Sequence, residues 1–116
     1  MHNGIDIVCL FRFKEAAGKA AFLKRVFTDT EIGDSMAARS PFKRLAGGFA
    51  AKEACLKALG TGFGGEIGLK DIEVTYGGAS PALKLHREAK RLLGDRRVFL
   101  SLAYSKELAV AAVLME

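Results

Sequence analysis

Apolar positions along this chain follow two periods, and each period marks a different kind of element. Ile5-Asp6-Ile7-Val8-Cys9-Leu10 is continuous apolar sequence apart from one aspartate, and predicts a first strand over Gly4 to Leu10. Val98 to Tyr104 and Leu108 to Leu114 predict two further strands, separated at Ser105-Lys106. Lys70 to Tyr76 and Pro81 to Leu85 predict another pair, joined through Gly77-Gly78. Helical spacing appears between these runs. Ala16, Ala20, Leu23 and Phe27 predict a helix over Lys14 to Val26, with Lys14, Lys19, Lys24 and Arg25 on its other face. Thr28-Asp29-Thr30-Glu31 has the form of a capping box and predicts a short helix through about Ala38.

The longest predicted helix has Ser40 as N-cap, Pro41 in its first turn and Gly60 as its stop. Phe42, Leu45, Phe49 and Leu56 define its apolar face. A polar helix over Arg87 to Leu93 ends at Gly94. The expected order is β-α-α-β-β-α-β-β. That order predicts an α+β domain, one long helix packed on a mostly antiparallel sheet. No repeat or linker divides residues 1–116, so one domain is expected.

Two carboxylates break this patterning. Asp6 interrupts the first strand, and a step of about 100° per residue puts Glu53 between Phe49 and Leu56 on the apolar stripe. A buried carboxylate without compensation costs on the order of several kcal/mol, so such groups are paired, protonated or metal-bound. No basic residue adjoins Asp6 in sequence. Two acids on separate elements suggest a shared divalent cation. The plainer alternatives are a strand-end turn at Asp6 and an i,i+4 helix pair between Glu53 and Lys57.

Charge narrows the picture only partly. A net charge of +5 and a pI near 9.4 imply a negative partner, which nucleic acid, acidic protein or a phosphorylated small molecule would all satisfy. Two cysteines, Cys9 and Cys55, lie in apolar elements and read as small buried thiols rather than a disulfide or zinc framework. The first strand starts at once and no apolar stretch spans a bilayer, so a cytoplasmic protein with no membrane partner is expected. His86 reads as a surface or satisfied histidine, and Arg87, Lys90, Arg91, Arg96 and Arg97 as a solvated basic face.

Three segments carry a resemblance when taken together: Gly4-Ile5-Asp6-Ile7-Val8, the stretch from Leu45 to Gly62 containing Phe49-Ala50-Ala51-Lys52-Glu53-Ala54 and Lys57-Ala58-Leu59-Gly60-Thr61-Gly62, and Asp71-Ile72-Glu73-Val74. In these the chain resembles the holo-acyl-carrier-protein synthases, the short single-domain 4′-phosphopantetheinyl transferases. The resemblance implies transfer of phosphopantetheine from coenzyme A to a serine of apo acyl carrier protein, releasing adenosine 3′,5′-bisphosphate. It implies Asp6 and Glu53 as Mg²⁺ ligands, Lys57 against the phosphates, Arg12 and Arg25 as carrier-protein docking residues, and a homotrimer with sites between subunits. Mg²⁺ suits two carboxylates, since it takes oxygen ligands and keeps positions for water and phosphate. Glu53 is the candidate for the serine proton, directly or through a bound water. Gly60 and Gly62 would let the backbone approach the ligand.

The chain departs from the family pattern at three positions. Gly48 stands where relatives commonly carry arginine, Ser101-Leu102-Ala103-Tyr104 replaces a motif ending in histidine, and His86 replaces a glycine. Lys43 and Arg44 are candidate substitutes for the lost cations, and Tyr104 keeps one hydrogen-bond donor. Activity with weakened coenzyme A affinity is therefore expected. A non-catalytic relative that binds carrier protein or coenzyme A is the alternative. A nucleic-acid-binding domain is disfavoured, because the chain lacks a stacking-aromatic motif or recognition helix and the two acids would go unexplained.

Overall fold

The computed structural model describes residues 2–61, 67–78 and 80–116. Strand β1 (His2–Cys9) is followed by four helices, α1 (Leu10–Ala17), α2 (Ala20–Val26), α3 (Asp29–Met36) and α4 (Pro41–Leu59). A 3-10 turn at Leu69–Asp71 leads into β2 (Ile72–Thr75) and β3 (Ala82–Leu85), then α5 (Arg87–Leu93), β4 (Val98–Tyr104) and β5 (Leu108–Met115). The α+β class stands, and every described strand pairing is antiparallel.

The expected element order requires correction. Four helices, not two, separate β1 from β2. The predicted helix over Lys14 to Val26 is two helices, because α1 ends at Gly18 and Lys19 is extended (φ −97°, ψ 119°). The strands also form two sheets rather than one: a three-stranded sheet in the order β1-β5-β4 and a separate β2-β3 hairpin.

Local signals account for most boundaries. The capping box at Thr28 is complete: Glu31 N–H donates to Thr28 Oγ1 (3.1 Å), and Thr28 N–H donates to Glu31 Oε1 (2.9 Å). Pro41 opens α4, although Ser40 makes no side-chain cap bond. Gly60 closes α4 in the left-handed region (φ 81°), where it satisfies the Leu56 and Lys57 carbonyls.

Helix α4 lies across the inner face of the three-stranded sheet. Val8, Ala109, Ala111, Val113 and Met115 face it from the strands, and Leu45, Ala46, Ala50, Ala54 and Ala58 answer from the helix. Small residues let the two backbones approach closely. At Gly4 the approach is closest: a Cβ there would lie 2.0 Å from the Ala54 carbonyl oxygen. Glycine at position 4 is therefore what seats β1 on α4.

Candidate active site

The seating of β1 brings Asp6 beside the C-terminal half of α4. Asp6 projects inward between Gly4 and Val8, half-buried. Glu53 is buried, with 6% exposure, where the apolar stripe placed it. Both line one cavity of about 490 Å³, with Cys9, Arg12, Phe13 and Phe49 among its walls. Phe13, Phe22 and Phe49 form a mutually packed cluster with ring centroids 5.7–6.0 Å apart, so Glu53 faces an apolar wall.

Lys57 completes the group in a way the sequence did not suggest. Its Nζ donates to Asp6 Oδ1 (3.0 Å) and to the Ile5 carbonyl (2.9 Å). The plain helix-pair reading of Glu53 with Lys57 is thus replaced by a strand-to-helix ion pair, and Asp6 has a basic partner after all. Glu53 does not: its Oε1 is buried and has no hydrogen-bond partner among the described residues. Burial, then the neighbouring Asp6 carboxylate, push its carboxyl up to about 7, against the pull of Lys57. Among the described residues no cluster of three or more His, Cys, Asp or Glu is arranged to hold a metal. Two carboxylates, one with an orphaned buried oxygen, fit a hard cation that also takes oxygens from substrate and water.

The remaining predicted residues separate into groups. Arg12 is exposed at the wall of the Asp6–Glu53 cavity, while Arg25 is exposed in the last turn of α2. Gly60 lies one turn beyond Lys57, where helix termination accounts for it. Gly62 lies outside the described residues, as do Phe63, Gly64 and Gly65. Lys43, Arg44 and Tyr104 converge on a different cavity, of about 720 Å³, whose lining also includes Arg39, Tyr76 and Ser101. This second cavity sits at the β4 edge of the sheet, whereas Asp6 sits on β1 at the opposite edge. One chain does not bring the two groups together.

Tyr104 points inward onto α4, where Gly47 leaves room for it, and Lys43 Nζ lies 5.3 Å from its ring centroid. Burial raises the Tyr104 pKa above its ordinary value, so the hydroxyl stays protonated near neutral pH. Lys43 and Arg44 stand one turn upstream of Gly47 and Gly48 and are the cations of this cavity.

Two features lie beyond the sequence patterning. Lys52 follows Leu45 by seven residues on the same stripe as Glu53, where a long aliphatic stem blends with its apolar neighbours. It is fully buried, donating to Glu31 Oε1 (2.8 Å), the Leu69 carbonyl (2.9 Å) and the Ile72 carbonyl. Burial lowers its pKa below the ordinary lysine value, against the pull of Glu31. Tyr76 is the second, with no patterning signal to mark it. Cys9 is a correction, since it is exposed rather than buried; Cys55 is buried, and burial pushes its thiol up to about 12. His86 is satisfied as expected, its Nε2 lying 3.1 Å from Glu73 Oε1. In the basic face, Arg87 pairs with Asp71 and Arg97 with Glu116.

Comparison with known proteins agrees with the geometry. The family model for the 4′-phosphopantetheinyl transferase superfamily matches residues 3–113. A holo-(acyl-carrier-protein) synthase from Carboxydothermus hydrogenoformans is 39% identical over 97% of this chain and 95% of its own length. The crystal structure of the Neisseria meningitidis holo-(acyl-carrier-protein) synthase superposes with a TM-score of 0.89 at 32% identity, covering 99% of this chain and 97% of that one. That of the Bacillus anthracis synthase in complex with CoA (3′,5′-ADP) gives 0.82 at 36% identity, covering 98% and 94%. By its matched length, its identity to these enzymes and its fold, the chain belongs to the holo-(acyl-carrier-protein) synthases of the 4′-phosphopantetheinyl transferase superfamily.

Proposed function

We propose that this protein transfers 4′-phosphopantetheine from coenzyme A to a serine hydroxyl of an apo acyl carrier protein, with Mg²⁺, and releases adenosine 3′,5′-bisphosphate. The observation that carries this reading is the meeting of Asp6, Glu53 and Lys57 beside one cavity, with Glu53 Oε1 buried and unpartnered. Asp6 and Glu53 would hold the ion. When bound, Mg²⁺ supplies neutralisation of pyrophosphate charge and alignment of the reacting oxygens.

The chain's own residues account for the rest. The serine oxygen forms a bond to the phosphorus that carries pantetheine, and the pyrophosphate P–O bond on its far side breaks. The serine proton passes to Glu53, directly or through a bound water. Lys57, anchored on Asp6, offers its ammonium to the phosphates. Lys43, Arg44 and Tyr104 bind the phosphate-bearing adenosine end, and Gly60 and Gly62 give the backbone close approach to the ligand. Arg12 and Arg25 dock the acidic carrier by charge complementarity, so charge reversal at either raises the carrier KM by roughly tenfold without changing coenzyme A affinity.

A homotrimer would complete the site. The Asp6 cavity and the Lys43–Arg44 cavity occupy opposite edges of one sheet, and a head-to-tail ring sets the edge of one subunit against the other edge of the next. The outer face of the sheet supports association, because Ile5 (58%), Ile7 (60%) and Phe99 (45%) are exposed there.

The test is direct. Incubation with apo carrier protein, coenzyme A and Mg²⁺, followed by mass spectrometry, should show phosphopantetheine on the carrier serine, and light scattering should give a trimer mass. Carrier binding without modification would overturn the catalytic assignment.

A further inference from the structure

The cavity at the β4 edge gathers Arg39, Lys43 and Arg44, and none of the ion pairs among the described residues involves them. Three unpaired cations within six residues repel one another and favour a multiply charged anion between them. Two of the three lie over aromatic rings: Lys43 over Tyr104, and Arg44, the planar one, over Tyr76 with its guanidinium carbon 4.4 Å from the ring centroid. Face stacking leaves the edge N–H groups of a guanidinium free, and that edge is what meets a phosphate with two parallel hydrogen bonds.

Tyr76 packs beside Gly48. A Cβ at position 48 would lie 3.4 Å from Phe27 Cε1, 3.8 Å from Tyr76 Oη and 3.9 Å from Val74 Cγ2. A Cβ at 48 would make ordinary van der Waals contact with all three, so Tyr76, Phe27 and Val74 together wall this side of α4.

We propose that Tyr76 is a positioning residue for nucleotide binding: seated against Gly48, its ring presents the Arg44 guanidinium edge-on to a phosphate in the cavity. This rests on the cavity being the coenzyme A phosphate site, and it makes Arg44 the working cation on this stretch of α4.

Calorimetric titration of the full-length chain with adenosine 3′,5′-bisphosphate tests the proposal. Tyr76→Leu should weaken binding about fivefold, while Tyr76→Phe, which keeps the ring, should stay within about twofold of wild type. Arg44→Met should weaken it roughly tenfold, and the Tyr76→Leu/Arg44→Met double variant should be no weaker than Arg44→Met alone. Full additivity in the double variant, or wild-type affinity for Tyr76→Leu, would overturn the proposal. Should Tyr76→Leu fail to fold, Arg44→Lys, which keeps the charge without the stacked plane, takes its place; wild-type affinity there also overturns the proposal. A wild-type chain that binds neither the bisphosphate nor coenzyme A removes the underlying reading and this inference with it. Binding by wild type that no variant disturbs removes this inference only.

Discussion

Gly47 and Tyr104 occupy one another's space: a Cβ on Gly47 would lie 2.0 Å from Tyr104 Oη, and its three nearest atoms all belong to that tyrosine. In this chain the side chain at 104 therefore depends on the absence of a Cβ at 47. Gly47→Ala should push Tyr104 off α4 at a cost of about 1 kcal/mol or less, because the phenol is the free end of an exposed side chain that can swing away. Adding Tyr104→Ala should return stability, since alanine is otherwise the better helix residue by up to about 1 kcal/mol. Urea unfolding of the two single variants and the double variant measures the coupling.

Glu53 and Asp6 should respond differently to neutralisation. Glu53→Gln is expected to lower transferase activity by at least about a hundredfold, because it removes both a metal-ligating oxygen and the proton acceptor. Its unfolding midpoint should not fall, because an unpartnered buried charge disappears. Asp6→Asn should be equally inactive but slightly less stable, since it removes the charge paired with Lys57. Activity assays and thermal melts on the same preparations separate the two effects.

Lys52 pins α4 to α3 and to the start of β2 through three acceptors. Lys52→Met leaves the Glu31 carboxylate buried without its cation and should cost about 3–5 kcal/mol. Both Glu31 oxygens accept backbone N–H bonds, Oε1 from Thr28 (2.9 Å) and Oε2 from Val74 (2.8 Å), so Glu31→Gln turns one acceptor against a donor and strands the buried Lys52 ammonium; it should cost at least as much as Lys52→Met. Guanidinium denaturation ranks the two.

Glu73 predicts an acid limb in the stability profile. Burial pushes its carboxyl up, but hydrogen bonds from His86 and Thr28 outweigh this and hold its pKa below 4.5. A depressed folded-state value means stability that is present above the unfolded-state pKa and lost as pH falls through the folded one. Glu73→Gln should therefore lower the urea midpoint at pH 7 more than at about pH 3. Equal losses at both would show that the carboxylate charge contributes nothing.

Much of the architecture was legible because its causes are local. The capping box at Thr28, the proline start and glycine stop of α4, and the place of Glu53 on an apolar stripe each depend on residues within a turn or two. Gly18 shows the limit of that logic. Helical spacing continues across it, so the periodicity predicted one helix where the chain turns between two.

Residue patterning alone marks an acidic strand residue and an acidic helix residue that interrupt otherwise apolar surfaces. Their partners come from how the elements pack. Asp6 meets Lys57 across 51 residues because Gly4 lets β1 rest directly on the α4 backbone, and no local pattern encodes that contact. The same packing left Glu53 unpartnered, gave Lys52 to Glu31, and set Lys43, Arg44 and Tyr104 at the far edge of the sheet. Periodicity fixes which face of an element is buried, whereas the partner of a buried charge depends on which backbones approach closely enough to meet.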